Sequence, residues 1–151
     1  MQLDHVVAAL EHCLPGRAIS NVERLAAGWE TDVYAFMADQ TPLVLRGYSG
    51  GDFGDRAAAE ARAIGALSRL SYPVPKLVAF VPDTILFGGP ALIMERIFGQ
   101  VMWRHYGSAL YDKEPQALFC SLLHRLHELD GRELDSGGLN TFDLAALETI
   151  S

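Results

Sequence analysis

Pro42-Leu43-Val44-Leu45-Arg46 is a run of strand-forming residues that ends in a cation. Everything around it follows from asking what that cation is for. Downstream, Asp55 opens an Ala-rich helical pattern running to about Leu70. Ala57, Glu60, Ile64 and Leu67 share one face of that pattern, while Arg62 and Arg69 lie opposite. A carboxylate on the apolar side of a helix needs a partner, because burying it unpaired costs several kcal/mol, on the order of 3–5. Arg46, on the strand just before, is the nearest candidate in the chain. Arginine is always protonated and offers a two-pronged fork that fits both a carboxylate and phosphate oxygens. One Arg held by one Glu and aimed at a polyphosphate is half of a phosphoryl-transfer site.

The flanking sequence places this pair in a mixed sheet-and-helix domain. Upstream, Leu3, Val6, Val7, Leu10 and Leu14 recur at helical spacing until Pro15-Gly16. From Ile19 to Tyr48 the texture changes to three short β-rich runs, Val22–Ala26, Val33–Met37 and Pro42–Tyr48. Gly28 and the turn Ala38-Asp39-Gln40-Thr41 separate them, which predicts an antiparallel meander. Tyr72-Pro73-Val74-Pro75 ends the helix and leads into a strand over Lys76–Val81. A further short run lies between Pro82-Asp83-Thr84 and Gly88-Gly89. Then Pro90-Ala91-Leu92-Ile93-Met94-Glu95-Arg96-Ile97 reads as a strand over 91–96, closed by Gly99. Beyond Gly99 the pattern is helical, with Leu118, Phe119, Leu122, Leu126 and Leu129 as one stripe. Residues 132–140 read as a polar loop and 141–150 as the start of another helix.

Composition narrows the function classes. With 151 residues the chain suits a single folding unit with a real core. A net charge of −7 argues against nucleic acid or an anionic membrane as partner, though a small anion needs only local donors. Acidic residues interrupt the N-terminal apolar pattern, so it does not read as a signal peptide, and no run approaches a bilayer span. Cys13 and Cys120 have no metal-ligand spacing and read as reduced thiols, so the expected location is cytoplasmic. His124 and His127, three residues apart with no third ligand in view, read as a solvated pair rather than a metal site.

Taken in order, Gly28-Trp29-Glu30-Thr31-Asp32-Val33-Tyr34, Val44-Leu45-Arg46, Glu60, Val74-Pro75-Lys76-Leu77 and Met94-Glu95-Arg96-Ile97-Phe98-Gly99 resemble the small lobe of the aminoglycoside phosphotransferase and choline kinase family. Leu126-His127-Glu128-Leu129-Asp130 resembles the family's first large-lobe helix. The resemblance implies an α+β, protein-kinase-like small lobe: an antiparallel sheet of about five strands with one packed helix, preceded by an N-terminal helix and followed by the first helices of an incomplete large lobe. It implies a division into residues 1–99 and 100–151. It also implies ATP as the nucleotide, magnesium bound by residues outside this chain, and a small hydroxyl-bearing acceptor whose identity stays open. Gly28, Trp29, Glu30 and Thr31 are then expected over the triphosphate, with Arg46 on the α- and β-phosphates and Glu60 orienting it. Met94, Glu95 and Ile97 are expected in a hinge whose backbone meets the adenine edge.

Departures from the family pattern shape what is expected of activity. The phosphate loop has a single Gly, and Asp32 adds a negative charge beside it that is unfavourable unless it points away. Asp135 and Asn140 have the spacing of the family's catalytic loop, but Glu133-Leu134 does not match what should precede them, so a turn is the expected reading. The expectation is a shortened chain that binds nucleotide weakly and does not turn over alone. Other readings stay open at the level of sequence. Arg46 can be a solvated strand-end residue and Glu60 a surface residue on a rotated helix. Trp103 and Tyr106 can line a substrate cleft or simply pack between lobes. Finally, the chain can be a non-catalytic interaction module that self-associates, or a small helical-and-sheet binding protein unrelated to kinases.

Overall fold

The computed structural model of the chain describes residues 2–27, 31–48, 54–99 and 113–132. Its elements are α1 (Leu3–Cys13), β1 (Ile19–Ala27), β2 (Thr31–Ala38), β3 (Thr41–Tyr48), α2 (Gly54–Arg69), β4 (Leu77–Val81), α3 (Thr84–Phe87), β5 (Ala91–Glu95) and α4 (Lys113–His127). The five strands form one sheet in the order β1-β2-β3-β5-β4, and every neighbouring pair is antiparallel. The expected meander is therefore present, and β5 inserts between β3 and β4.

Alternation along the strands gives the sheet two apolar faces, and each is covered by a helix. One face carries Tyr34, Phe36, Leu43, Leu45, Ala91 and Ile93, packed beneath Val6, Ala9 and Leu10 of α1. The other carries Tyr48, Leu92 and Met94, packed beneath Ala57 and Ala61 of α2. Small residues on the inner side of α2 let that helix approach closely, which brings the strand ends within reach of its polar side chains. The β2–β3 connection is a tight turn in which Asp39 adopts a φ of 56°, a left-handed conformation that Asp tolerates. Its carboxylate accepts from the Ala18 N–H at 2.9 Å and its own N–H donates to the Ala18 carbonyl at 2.8 Å. These bonds dock the hairpin against the start of β1.

Two sequence readings are refined. The short run between the Pro82 and Gly88 turns is one helical turn, α3. Asp83 caps it through the Ile85 N–H, and Gly88 closes it at a φ of 73°. Four residues with turn formers at both ends had no periodicity from which a helix could be read. The stripe on α4 is the second. Leu122 and Leu126 are half-buried, but Leu118, Phe119 and Leu123 are exposed, because nothing among the described residues covers that flank. The Tyr72 hydroxyl donates to the Leu122 carbonyl at 3.1 Å, tying α4 to the end of α2. Cys13 packs at the rim of the α1 core, where burial and Asp83 push its thiol up, consistent with a packing role.

Tyr34 is fully buried and its hydroxyl has no hydrogen-bond partner among the described residues. Removing an unsatisfied hydroxyl relieves a desolvation cost, so Tyr34→Phe should leave stability unchanged or raise it by up to about 1 kcal/mol in urea unfolding. Tyr34→Ala, which empties the core position, should cost about 3–5 kcal/mol. A clear loss for Tyr34→Phe would mean the hydroxyl is satisfied after all, for example by a buried water.

Candidate active site

Arg46 and Tyr48 are two residues apart on β3, so both side chains emerge on the α2 face of the sheet. Register places Val33 and Leu92 beside Arg46, Thr31 beside Tyr48, and Met94 beside Val44. Across from them, Glu60 sits on the flank of α2, next to the buried Ala57 and Ala61. Glu60 is half-buried, with 29 % of its side chain exposed, against 40 % for Arg46. The expected pair forms: Arg46 Nη1 donates to Glu60 Oε1 at 2.9 Å. The rotated-helix alternative for Glu60 is thereby excluded.

Sequence reasoning missed a third member. The Tyr48 hydroxyl donates to the other carboxylate oxygen, Glu60 Oε2. The Tyr48 ring also lies beside the Arg46 guanidinium, whose central carbon is 5.4 Å from the ring centroid. Tyr48 is almost wholly buried, and its backbone N–H is fixed by the Pro90 carbonyl at 2.9 Å. Its spacing of two from Arg46 was the available signal, since alternation puts both on one face. Burial, the Glu60 hydrogen bond and the Glu60 charge push the Tyr48 phenol above its usual range, against the opposing charges of Arg46 and Arg56. Arg46 Nε is buried without a partner among the described residues. An orphaned donor on a half-exposed cation is a cost that an anion drawing the fork outward can relieve.

Asp32 is answered by the structure. It pairs across the β2–β3 ladder with Gly47, on the sheet face opposite Arg46, and Arg24 Nη2 binds its carboxylate at 2.5 Å. The negative charge that looked unfavourable in sequence is turned away and neutralised.

At the far end of β5, the Glu95 N–H donates to the Lys76 carbonyl at 2.9 Å and the Arg96 N–H to the Pro42 carbonyl at 3.2 Å. Glu95 Oε2 accepts from the Lys76 N–H at 3.3 Å. Arg96 reaches back to Glu23 at 3.2 Å and stacks on Phe98, 5.0 Å from the ring centroid. These contacts fix the segment after β5 against both β1 and β4. The Ile97 N–H has no backbone partner among the described residues, and the Ile97 and Phe98 side chains are exposed. Of the expected site residues, the structure brings together Thr31, Arg46 and Glu60 at one end of the α2 face. Met94 stands at the other end of the same face, with the backbone of Glu95 and Ile97 continuing from it. Gly28, Trp29 and Glu30 lie outside the described residues, as do Trp103, Tyr106, Asp135 and Asn140. His124 is exposed and sits 3.7 Å from Glu128, and the described residues contain no group of three or more His, Cys, Asp or Glu able to hold a metal ion.

The model of the phosphotransferase enzyme family matches residues 21–150. The chain belongs to that family. Among solved structures, a putative aminoglycoside phosphotransferase from Ralstonia eutropha JMP134 superposes with a TM-score of 0.66 at 21 % identity. That match covers 93 % of this chain and 42 % of the other. Aminoglycoside phosphotransferase APH(4)-Ia superposes with a TM-score of 0.50 at 18 % identity, over 67 % of this chain and 32 % of the other. The chain thus spans less than half the length of either structure, and the likeness at these identities is one of fold. No curated protein matches it in sequence. The five-stranded sheet with α2 packed on it is the small lobe of this protein-kinase-like fold.

Because the Tyr48 phenol is held above its unfolded value, its contribution to stability is fully present below about pH 10 and is lost as pH rises beyond it. Urea unfolding between about pH 8 and pH 11 should show the wild type losing stability more steeply than Tyr48→Phe above about pH 10. Tyr34 is raised in both proteins, so the difference isolates Tyr48. Parallel curves for the two proteins would contradict the Tyr48–Glu60 bond.

Proposed function

We propose that the chain is the nucleotide-binding part of a small-molecule kinase, with residues 1–99 forming the small lobe and hinge and residues 100–151 beginning a helical large lobe. The observation that carries this reading is the Arg46–Glu60 pair, held at 2.9 Å on a half-open sheet face. In this reading Arg46 meets the α- and β-phosphates of ATP and Glu60 sets its direction. The loop Gly28 to Thr31 covers the triphosphate. Val33, Val44 and Met94, side by side on the same face, offer an apolar bed for adenine.

The hinge assignment sharpens which backbone groups are available. With the Glu95 N–H committed to Lys76, the acceptor offered by Glu95 is its carbonyl, and the donor two residues on is the Ile97 N–H. An acceptor and a donor spaced in this way match the exocyclic amine and ring nitrogen on one edge of adenine. ATP bound there supplies a γ-phosphoryl group for a hydroxyl of a small acceptor. This chain's described residues bind and orient, and they exclude water along the apolar bed. Magnesium, which the family resemblance implies, finds no ligand cluster among them, so no step is assigned to it.

A second reading rests on a different observation. Leu118, Phe119 and Leu123 on α4 are exposed among the described residues, as are Ile97 and Phe98 after β5, and exposed apolar side chains of that kind suit self-association. Gel filtration separates the readings: a nucleotide-indifferent dimer favours the interaction module.

The kinase reading predicts that ATP raises the melting temperature in proportion to its occupancy of the folded state. Arg46→Ala should weaken ATP binding at least about tenfold, since a charge-assisted contact to phosphate is worth roughly 1.5–3 kcal/mol. A thermal shift that survives Arg46→Ala intact would remove Arg46 from the site.

A further inference from the structure

We infer that Tyr48 is a positioning residue of the phosphate site, acting on Arg46 through both its hydroxyl and its ring. The inference rests on the kinase reading and adds to it a residue that the family resemblance did not supply.

Glu60 is a single carboxylate on a helix flank, joined to its backbone by rotatable bonds. Left with Arg46 as its sole partner, it could follow the guanidinium wherever a ligand drew it. The Tyr48 hydroxyl occupies Oε2 and leaves Oε1 for Arg46. Tyr48 itself cannot follow, because it is 4 % exposed, packed among Ala57, Ala61, Leu92 and Met94, and hydrogen-bonded through its backbone to Pro90. The carboxylate therefore becomes a fixed pivot. Meanwhile the guanidinium lies over the ring, its central carbon 5.4 Å from the centroid, a cation–π contact that consumes no donor. The remaining fork donors are left for a ligand, with no second ion-pair partner for Arg46 among the described residues. A tyrosine suits this task because its raised phenol stays protonated across the physiological range, so the donor to Glu60 is never lost.

This arrangement also gives a reason for Arg rather than Lys at position 46. A planar fork can bond Glu60 with one nitrogen, rest against a ring, and still present further donors. An ammonium has no plane to stack.

The test compares wild type, Tyr48→Phe and Arg46→Ala by NMR titration with ATP and with adenosine. Phenylalanine keeps the ring and the packing and removes only the bond to Glu60. Tyr48→Phe should weaken ATP binding about threefold to tenfold, less than the loss of Arg46 itself because the bond to Glu60 acts on the ligand only through Arg46, while leaving adenosine binding unchanged. A merely structural role would weaken both ligands together. Independently of any nucleotide, the Arg46 side-chain nitrogens should give separate, slowly rotating Nη signals in wild type and averaged signals in Tyr48→Phe. If Arg46→Ala weakens ATP binding but Tyr48→Phe binds ATP like wild type, the positioning role is overturned and the site reading stands. If ATP perturbs nothing near Arg46 in the wild type, both are overturned.

Discussion

A carboxylate set between a sheet and the helix packed on it must be matched, and Glu60 is matched twice. Arg46 takes one oxygen and Tyr48 the other. Both partners come from alternate positions at the end of one strand, which fixes where α2 sits along the sheet as well as how it is rotated. The small residues Ala57 and Ala61 make the approach possible, and the Glu60 triad makes it specific. Half-burial matters here. Enough water is excluded to make the pairing worth more than a surface ion pair, yet the guanidinium stays accessible to a ligand.

The two faces of the sheet divide the work of stability and binding. The α1 face is apolar at its centre, closed by Val6, Ala9 and Leu10, and holds the larger buried cluster. It carries the Arg24–Asp32 pair at its margin, away from Arg46. The α2 face is covered only in part, and its uncovered portion is bounded by Arg46 at one end and the Met94–Ile97 segment at the other. Backbone bonds from Glu95 to Lys76 and from Arg96 to Pro42 keep that segment attached to both neighbouring strands. A site whose walls are strands of a closed core is preorganised, and preorganisation is what turns a few contacts into specific recognition.

The parts of this fold that were legible in sequence were those governed by strong periodicity. Alternation announced β2 and β3, the Ala-rich stripe announced α2, and the Asp39 turn set the register between strands. The Arg46–Glu60 pair was legible for a different reason: an inward carboxylate demands a cation, and one stood nearby. Tyr48 was not legible, because a tyrosine at a strand end reads as ordinary packing until its hydroxyl is seen to find Glu60. The role of Asp32 was left open in sequence for want of the face on which it lies, which one residue of register decides. The one-turn α3 and the exposed flank of α4 depended on tertiary surroundings that no local pattern encodes. Gly28, Trp29 and Glu30 remain sequence expectations, lying outside the described residues.

The central claim is that Glu60 serves ligand binding through Arg46 and not by its own charge. A double-mutant cycle on ATP affinity, using Arg46→Ala, Glu60→Ala and the double variant, measures that coupling directly. The account predicts that Glu60→Ala weakens binding in the presence of Arg46 and has no further effect once Arg46 is gone. Additive losses, or a Glu60→Ala variant that binds ATP as well as the wild type, would contradict it.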